Sequence, residues 1–372
     1  MENGSASCLW MKNLGQKVML KHLQEEKEMA RTEKVKVIVY GVGAMGRMTA
    51  NLMLEKGYEI VAAIDKYAHV GEDFGDVLGL DHKLGFTVSD DPDAVLSSTK
   101  ADIVSICAKS LLKDMEPIFA QCLSYGFNVV SLAEETFWPW RIQPEASARL
   151  DKLAKDHSVT LTSCGIQDVV WLNAFCTLSA CCHKMDKVIG RAVADQSPYG
   201  IEATKGIGFG LTVEEFNART NLGEADPNWF GMTLEAIISR LQMTPTSIKD
   251  ILEPVVVDHD VYYPGGDMTI PAGRVAGWNQ ITEIETAEGT TFRCEFISKI
   301  CEKEGEEFHG WEIQGQPNVK QVIPGLEPPF IICSSIVNRI PDVINAAPGL
   351  VSLDKMPSPM YRSQLPETYI NE

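Results

Sequence analysis

The chain has 372 residues. A single hydrophobic core usually supports a shorter chain, so we expect two domains. Its 45% hydrophobic and 23% charged residues are typical of a soluble globular protein, and its formal net charge of -18 argues against a nucleic-acid partner, because phosphate binding needs a basic surface. No apolar run approaches the ~20 residues that cross a bilayer, so we expect no membrane partner.

Residues 1–33 are predicted to be an N-terminal extension. They lack the long apolar core and the small-residue cleavage site of a signal peptide, and Glu25, Glu26 and Glu28 are unlike the acid-poor sequence of a mitochondrial transit peptide. We expect a helix here that is either frayed or packed on the fold.

From Lys34 onward, short apolar runs alternate with segments of helical length. The runs are nearly continuous in apolar character, which is typical of parallel strands covered on both faces by helices. They are VKVIVYG, YEIVAAID, ADIVSICA, FNVVSLAE and VTLTSCG. The pattern predicts an α/β fold with a doubly wound parallel sheet, a Rossmann domain, over residues 34–165.

The glycine-rich turn in VIVYGVGAMGRMTANLML follows a strand and opens a helix. Gly41, Gly43 and Gly46 have the spacing that allows a tight turn, close approach to a pyrophosphate and close helix packing. The free N–H groups of the helix start, from Ala44 and Met45 onward, favour an anion. The turn therefore predicts a bound dinucleotide, either NAD or NADP.

The second strand ends at Asp65, whose carboxylate can accept both ribose hydroxyls of NAD and would repel a 2'-phosphate. Lys66 and Arg47 could offset that repulsion, so NAD is favoured and dual use is possible. Ala108 and Ser110 follow another strand and should border the nicotinamide side of the cleft, because ligands gather at the carboxyl ends of parallel strands.

The segment SLAEETFWPW ends a predicted buried strand with two adjacent carboxylates. Strand alternation would place Glu134 and Glu135 on different sides, so that one faces the cleft. An apolar wall that includes Phe137, Trp138 or Trp140 would raise the pKa of that carboxylate, which suits a group that exchanges protons near neutral pH.

A structural alternative for this pair is that one glutamate binds Arg141 and the other caps the next helix. Trp171 begins a later helix and Tyr199 follows a later strand, so both can line the cleft. His309 and the other histidines have no partner at triad or metal spacing, so we expect them to be structural or surface residues.

The second half of the chain predicts an α+β domain with a mixed or antiparallel sheet over residues 166–334, and a C-terminal helix and tail over 335–372 that pack back on the first domain. DVVWLNAFCTLSACCH reads as a helix capped by Asp168. Thr212 and Glu215 form a predicted capping box, and AEGT a hairpin turn. We expect a homodimer formed through this sheet.

The ten cysteines lie mostly inside apolar runs and show no Cys-x-x-Cys spacing. Cys181, Cys182 and His183 are adjacent, but no second ligand cluster accompanies them. The sequence therefore predicts buried free thiols, no bound metal and a reducing, cytoplasmic location.

Six segments, in this order, resemble the 2,4-diaminopentanoate dehydrogenases and the related amine dehydrogenases, which share the architecture of dihydrodipicolinate reductase. They are GVGAMG, GEDFGDVLGL, AEETFWPW, GIQDVVW, GIGFGLTVEEF and PAGRVAGWNQ. The resemblance runs from about Lys34 to about Met356. It implies oxidative deamination of a primary amine by NAD(P), or in reverse the reductive amination of a ketone or aldehyde with ammonia.

In that family a glutamate of the AEE motif is catalytic, and its place matches Glu134, with Glu135 as the second choice. The turn GIQDVVW departs from the family's GVNPG-like turn, which favours a small apolar amine or carbonyl substrate in a pocket formed by Ile166, Trp171 and Tyr199. Three alternatives stay open: a 2,4-diaminopentanoate dehydrogenase proper, a non-catalytic NAD(P)-sensing protein, and an enzyme that reduces imines or carbonyls without ammonia.

Overall fold

The computed structural model describes residues 31–219 and 228–371. The helix expected in the N-terminal extension falls on residues 1–30, which lie outside the described residues. Within the described part, no helix is both long and apolar enough to cross a membrane.

A parallel sheet of seven strands forms the first half of the fold. Its strands are β1 (Lys36–Tyr40), β2 (Glu59–Ile64), β3 (Val88–Ser89), β4 (Ile103–Ile106), β5 (Asn128–Ser131), β6 (Thr160–Ser163) and, near the C-terminus, β15 (Gly349–Leu350). The order across the sheet is β15-β6-β5-β4-β1-β2-β3, and every pairing is parallel. The predicted doubly wound sheet is confirmed.

Helices cover both faces of this sheet. They are α1 (Ala44–Glu55), α2 (Phe74–Leu78), α3 (Pro92–Ser98), α4 (Leu112–Ser124) and α5 (Pro144–Asp156). On β1, Val37 and Val39 pack in the hydrophobic cluster that includes α1, whereas Ile38 packs in the cluster that includes α4 and α5. This two-sided burial explains why the strands read as continuous apolar runs.

The sequence did not predict strands β3 and β15. Each has two residues, which is too short to produce a recognisable apolar run. Strand β15 follows the C-terminal helix and adds to the edge of the parallel sheet beside β6. The C-terminal segment is therefore part of the first sheet.

The second sheet has six strands in the order β14-β13-β7-β12-β11-β8. They are β7 (Lys184–Asp195), β8 (Pro245–Val256), β11 (Val275–Thr286), β12 (Thr291–Lys299), β13 (Phe308–Gln316) and β14 (Val319–Pro324), and a separate hairpin pairs β9 (Val261–Tyr263) with β10 (Met268–Ile270). Only the β7–β12 pairing is parallel, so the predicted mixed sheet is confirmed. The AEGT segment joins β11 to β12 as expected.

Five further α-helices follow in the described part of the chain: α6 (Ala174–Ser179), α7 (Ile201–Thr204), α8 (Val213–Arg219), α9 (Trp229–Arg240) and α10 (Pro328–Asn345). Helix α10 packs on α1, β5 and β6. Helix α9, which the sequence analysis did not identify, packs against β11 and β12. The capping box at the start of α8 is present: the Glu215 N–H donates to Thr212 Oγ1 at 3.0 Å, and the Thr212 N–H donates to the Glu215 carboxylate at 2.8 Å.

One face of the mixed sheet packs on α9 through Phe292 and Cys294. Side chains alternate along a strand, so Ile297 points to the opposite face, where it is half-buried. This second face also carries the ion pair of Arg191 with Glu295 at 2.7 Å. It is the face through which a homodimer is expected, and that contact stays a prediction.

The predicted helix after β6 is present, but Asp168 does not cap it. The segment Gln167–Asn173 is π-helical and continues into α6. The Asp168 carboxylate instead accepts two hydrogen bonds from Arg339 of α10, at 2.7 and 2.8 Å, and one from Asn173 at 2.8 Å. Both charged side chains are 0% exposed, so this contact replaces their hydration, and Arg339 also donates to the Asp342 carboxylate at 3.1 Å.

Replacing Asp168 with Asn should destabilise the fold strongly. Arg339 would then keep its charge in a buried site with its bidentate partner gone and only the contact with Asp342, at 3.1 Å, left to balance it, and breaking a buried ion pair costs about 3–5 kcal/mol. The free energy of unfolding in urea measures this. As a control, Glu116→Gln removes one partner of the exposed Arg149 pair and should have a far smaller effect. Equal effects of the two variants would contradict the prediction.

Candidate active site

The glycine-rich turn lies at the carboxyl end of β1 and fits a dinucleotide. Gly41 has a φ of +93°, and a Cβ there would lie 2.3 Å from the Cys107 carbonyl oxygen. A Cβ on Gly46 would lie 1.8 Å from the Gly41 carbonyl oxygen, so both positions require glycine. At Gly43 a Cβ would meet nothing within 4 Å, which leaves open space where a pyrophosphate would approach the start of α1.

Helix α1 presents a start suited to an anion. Its N-cap, Gly43, gives no side-chain cap, and its first turn, from Ala44 through Met45, contains no acidic residue. Arg47 lies in the same turn, and its Nε has no hydrogen-bond partner among the described residues. The residues predicted to hold the cofactor phosphates are therefore together at one helix terminus.

Asp65 lies at the carboxyl end of β2, beside this turn. Its carboxylate accepts hydrogen bonds from the N–H groups of Val42 at 2.7 Å, Tyr67 at 2.9 Å and Ala68 at 2.8 Å. Partial burial would raise the pKa of Asp65, but these backbone hydrogen bonds lower it below its ordinary value. Asp65 is therefore anionic at neutral pH, and the neighbouring Lys66 is exposed.

The remaining predicted cofactor residues follow β4. Ala108 is exposed and Ser110 is half-buried, and both lie just past the carboxyl end of that strand. The Ser110 carbonyl accepts a hydrogen bond from the Glu135 N–H at 3.1 Å. This contact links the turn after β4 to the carboxylate pair after β5.

The two glutamates differ in orientation because a 3₁₀ turn, Glu134–Phe137, begins three residues past β5. The prediction of an extended strand through this pair was wrong. Glu135 is 3% exposed, and its carboxylate accepts hydrogen bonds from the Leu112 N–H and from Gln143 Nε2. It therefore caps the start of α4, the helix before it, rather than the helix after it.

Glu134 instead lines a cavity of about 260 Å³ between the carboxyl edge of the parallel sheet and the mixed sheet. The predicted pocket residues Ile166, Trp171 and Tyr199 line the same cavity. The full lining consists of Leu132, Glu134, Cys164, Gly165, Ile166, Gln167, Trp171, Ala194, Asp195, Gln196, Tyr199, Trp229, Phe296, Glu307, His309, Pro328 and Ile332. The structure thus brings the predicted substrate residues together.

The aromatic wall of this cavity differs from the expected one. Phe137 is buried in the core, and Trp138 and Trp140 line a separate groove beside β15. They are absent from the cavity because the turn that begins at Glu134 carries the following chain away from it. Trp229 and Phe296 supply the aromatic surface instead, and no local sequence signal marked either residue.

Arg141, considered above as a partner of the glutamates, forms ion pairs with Glu235 at 2.7 Å and Asp250 at 3.1 Å. These ion pairs connect the segment that follows β5 with α9 and β8.

His309 lies on the cavity wall. The sequence, which predicted a structural or surface residue, did not place it there. Its Nδ1 accepts a hydrogen bond from Trp171 Nε1 at 2.8 Å, which leaves the proton of the neutral ring on Nε2. Burial lowers the pKa of His309 to about 4, so the ring is neutral at pH 7. The Trp171 ring also packs on Phe230, with ring centroids 4.6 Å apart.

The charges on the cavity wall have one sign. Glu134, Asp195 and Glu307 are acidic, His309 is neutral, and none of the described residues that line the cavity is Lys or Arg. No group of described residues has the composition of a metal site. The arrangement can accept a proton and hold a cation beside a largely apolar surface.

Comparisons with known proteins fit this geometry. A family model described as the 2,4-diaminopentanoate dehydrogenase C-terminal domain matches residues 170–368, more than half of the chain. The chain belongs to the 2,4-diaminopentanoate dehydrogenase family. A second model, of the oxidoreductase family with an NAD-binding Rossmann fold, matches residues 35–163. The predicted family and the NAD-binding fold are confirmed.

Members and neighbours of the family align along most of the chain. A 2,4-diaminopentanoate dehydrogenase from Acetoanaerobium sticklandii is 29% identical over 352 residues, covering 88% of this chain and 94% of its own. The structure of an amine dehydrogenase from Mycobacterium smegmatis has a TM-score of 0.79 and 35% identity, covering 90% and 99%. A probable dehydrogenase from Thermotoga maritima, with a TM-score of 0.55, 11% identity and coverage of 90% and 93%, shares the fold alone.

The neutral state of His309 predicts a pH-dependent stability. Its pKa is about 4 in the fold and about 6.5 in the unfolded chain. As the pH falls from about 6.5 to about 4, only the unfolded chain gains this proton, so the free energy of unfolding should fall by up to roughly 3 kcal/mol. Urea unfolding across this range measures the effect.

The variant His309→Asn should flatten that part of the pH dependence. The control variant His157→Asn, at an exposed position, should leave it unchanged. Identical slopes for wild type and His309→Asn would show that His309 does not titrate as described.

Proposed function

We propose that the protein is an NAD(P)-dependent amine dehydrogenase that deaminates small primary amines and, in reverse, aminates ketones and aldehydes with ammonia. The observation that carries this proposal is the placement of Glu134. Glu134 lies just past the carboxyl edge of the dinucleotide-binding sheet and lines a cavity whose described lining has no cationic side chain. An ammonium group is the partner that such a wall favours.

For the cofactor, the proposal assigns the pyrophosphate to the turn with Gly41, Gly43 and Gly46, and the ribose hydroxyls to Asp65. Ala108 and Ser110 border the nicotinamide side. When bound, the nicotinamide ring accepts or returns the hydride. The charge of Asp65 favours NAD, while Arg47 and Lys66 permit some use of NADP.

The side chains of the cavity carry out the remaining tasks. Glu134 accepts a proton from the substrate ammonium and stabilises the cationic iminium that forms when the substrate carbon loses its hydride. Water adds to that carbon, ammonia leaves, and the proton returns to solvent, so the net products are a carbonyl compound, the reduced cofactor, ammonium and one further proton. Trp171, Tyr199 and Ile166 hold the apolar part of the substrate.

Replacing Glu134 with Gln should lower ammonia-dependent NADH oxidation about 10²- to 10⁴-fold, because a general acid–base group is removed while its size is kept. The measurement is kcat with a small ketone and saturating ammonium. Glu135→Gln is a matched control: it changes the neighbouring helix-capping carboxylate and should retain most of the activity while lowering stability.

Two outcomes would contradict the proposal. If Glu134→Gln kept most of its activity, the assigned role would be wrong. If the wild-type rate did not depend on ammonium concentration, the reaction would be a simple carbonyl reduction. Binding of NAD without turnover on any amine or carbonyl would instead favour the sensing alternative.

The variant Asp65→Asn should raise the ratio of kcat/KM for NADP to that for NAD about tenfold or more. It removes the charge that repels a 2'-phosphate and weakens the contact with the ribose hydroxyls. Because the readout is a ratio, a general loss of folded protein cancels. The control variant Glu59→Gln, at the exposed opposite end of β2, should leave the ratio unchanged, and an unchanged ratio in Asp65→Asn would remove Asp65 from cofactor selection.

A further inference from the structure

We infer that Glu307 selects the substrate: it binds a second ammonium group, so that the preferred substrates are small diamines, and substrates with a carboxylate at that position are rejected. The inference rests on the proposed function, since it assigns the reacting amine to Glu134. It adds a recognition role for a residue of the opposite domain.

The position of Glu307 follows from strand geometry. It directly precedes β13, two residues before His309, and side chains two apart on an extended chain point to the same side. His309 faces the cavity, as its bond to Trp171 shows, and Glu307 lines the same cavity. Glu134 reaches the cavity from the parallel sheet and Glu307 from the mixed sheet.

Glu307 retains hydrogen-bonding capacity that its acidic neighbour lacks. Asp195 accepts from the Ser197 N–H at 2.9 Å, the Ser197 hydroxyl at 2.6 Å and the Cys301 N–H at 3.0 Å, so its carboxylate is occupied by the surrounding loops. Within the described residues, Glu307 accepts a hydrogen bond from the Asp195 N–H at 3.4 Å, which is longer than an ordinary bond of this kind.

The positive charge of Lys299 is already paired with Glu306, the residue next to Glu307 in the chain. The cavity lining described above contains no Lys or Arg. His309 is neutral at pH 7. A second ammonium group on the substrate would therefore supply the positive charge that this wall lacks, whereas a carboxylate would meet only like charge.

Three substrates with the same reacting carbon test the inference. Butan-2-amine has an uncharged end, butane-1,3-diamine ends in an ammonium group, and 3-aminobutanoate ends in a carboxylate. For the wild-type enzyme with NAD near pH 7.5, we expect kcat/KM to be highest for the diamine, lower for butan-2-amine and lowest for 3-aminobutanoate.

The variant Glu307→Gln should lower kcat/KM for the diamine about 10- to 100-fold, mainly through KM, because a charge-assisted hydrogen bond is weakened. Butan-2-amine should change less than twofold. The control Glu304→Gln, at an exposed nearby position, should change neither substrate. No diamine advantage in the wild type, or an equal loss for both amines in Glu307→Gln, would overturn the inference.

A binding measurement separates this inference from the proposed function. With NAD present, butane-1,3-diamine should raise the Tm of the wild type more than that of Glu307→Gln. If no amine were turned over but this difference in Tm shift persisted, the proposed reaction would be wrong, and the binding of the second ammonium group by Glu307 would still hold. If butan-2-amine were turned over and the two proteins showed equal Tm shifts with the diamine, the recognition by Glu307 would be wrong and the reaction would stand.

Discussion

The buried pair of Arg339 and Asp168 is the interaction on which the cavity depends. Two charges that are both removed from water are stable together only in good geometry, here a bidentate contact with a further hydrogen bond from Asn173. The pair fixes the start of the π-helix against α10. That helix segment carries Trp171, and α10 also packs on α1 behind the glycine-rich turn. One helix therefore supports both the glycine-rich turn and the wall of the cavity.

The acidic residues in and around the cavity have the same chemical group, but they differ in their hydrogen-bond partners and in whether they line the cavity. Backbone N–H groups occupy Asp195 and hold its charge in the loop structure. The Glu135 carboxylate accepts a hydrogen bond from the Leu112 N–H at the start of α4. Glu134 and Glu307 line the cavity from the side of the parallel sheet and the side of the mixed sheet, respectively. Hydrogen bonding, rather than residue type, thus marks Asp195 and Glu135 as structural acids.

The features that the sequence revealed are local ones. The glycine turn, Asp65 and the long strands can be predicted because their spacing and apolar runs are contained in short segments. His309, Trp229 and Arg339 could not be assigned, because each acquires its role from a partner far away in the chain. Asp168 is a further example. Its position in the sequence suggested a helix cap, but its carboxylate binds Arg339, which lies 171 positions later in the chain.

The division between the two sheets also bears on how related enzymes differ. The edge that carries the glycine turn, Asp65 and Glu134 comes from the parallel sheet, whose geometry the proposed hydride transfer would constrain closely. The opposite wall comes from separate elements, with Phe296 on β12, His309 on β13 and Trp229 at the start of α9. Substitutions there can change charge and shape without moving Glu134. Under the proposed function, the substrate preference can therefore change through this wall while the edge that carries Glu134 keeps its geometry.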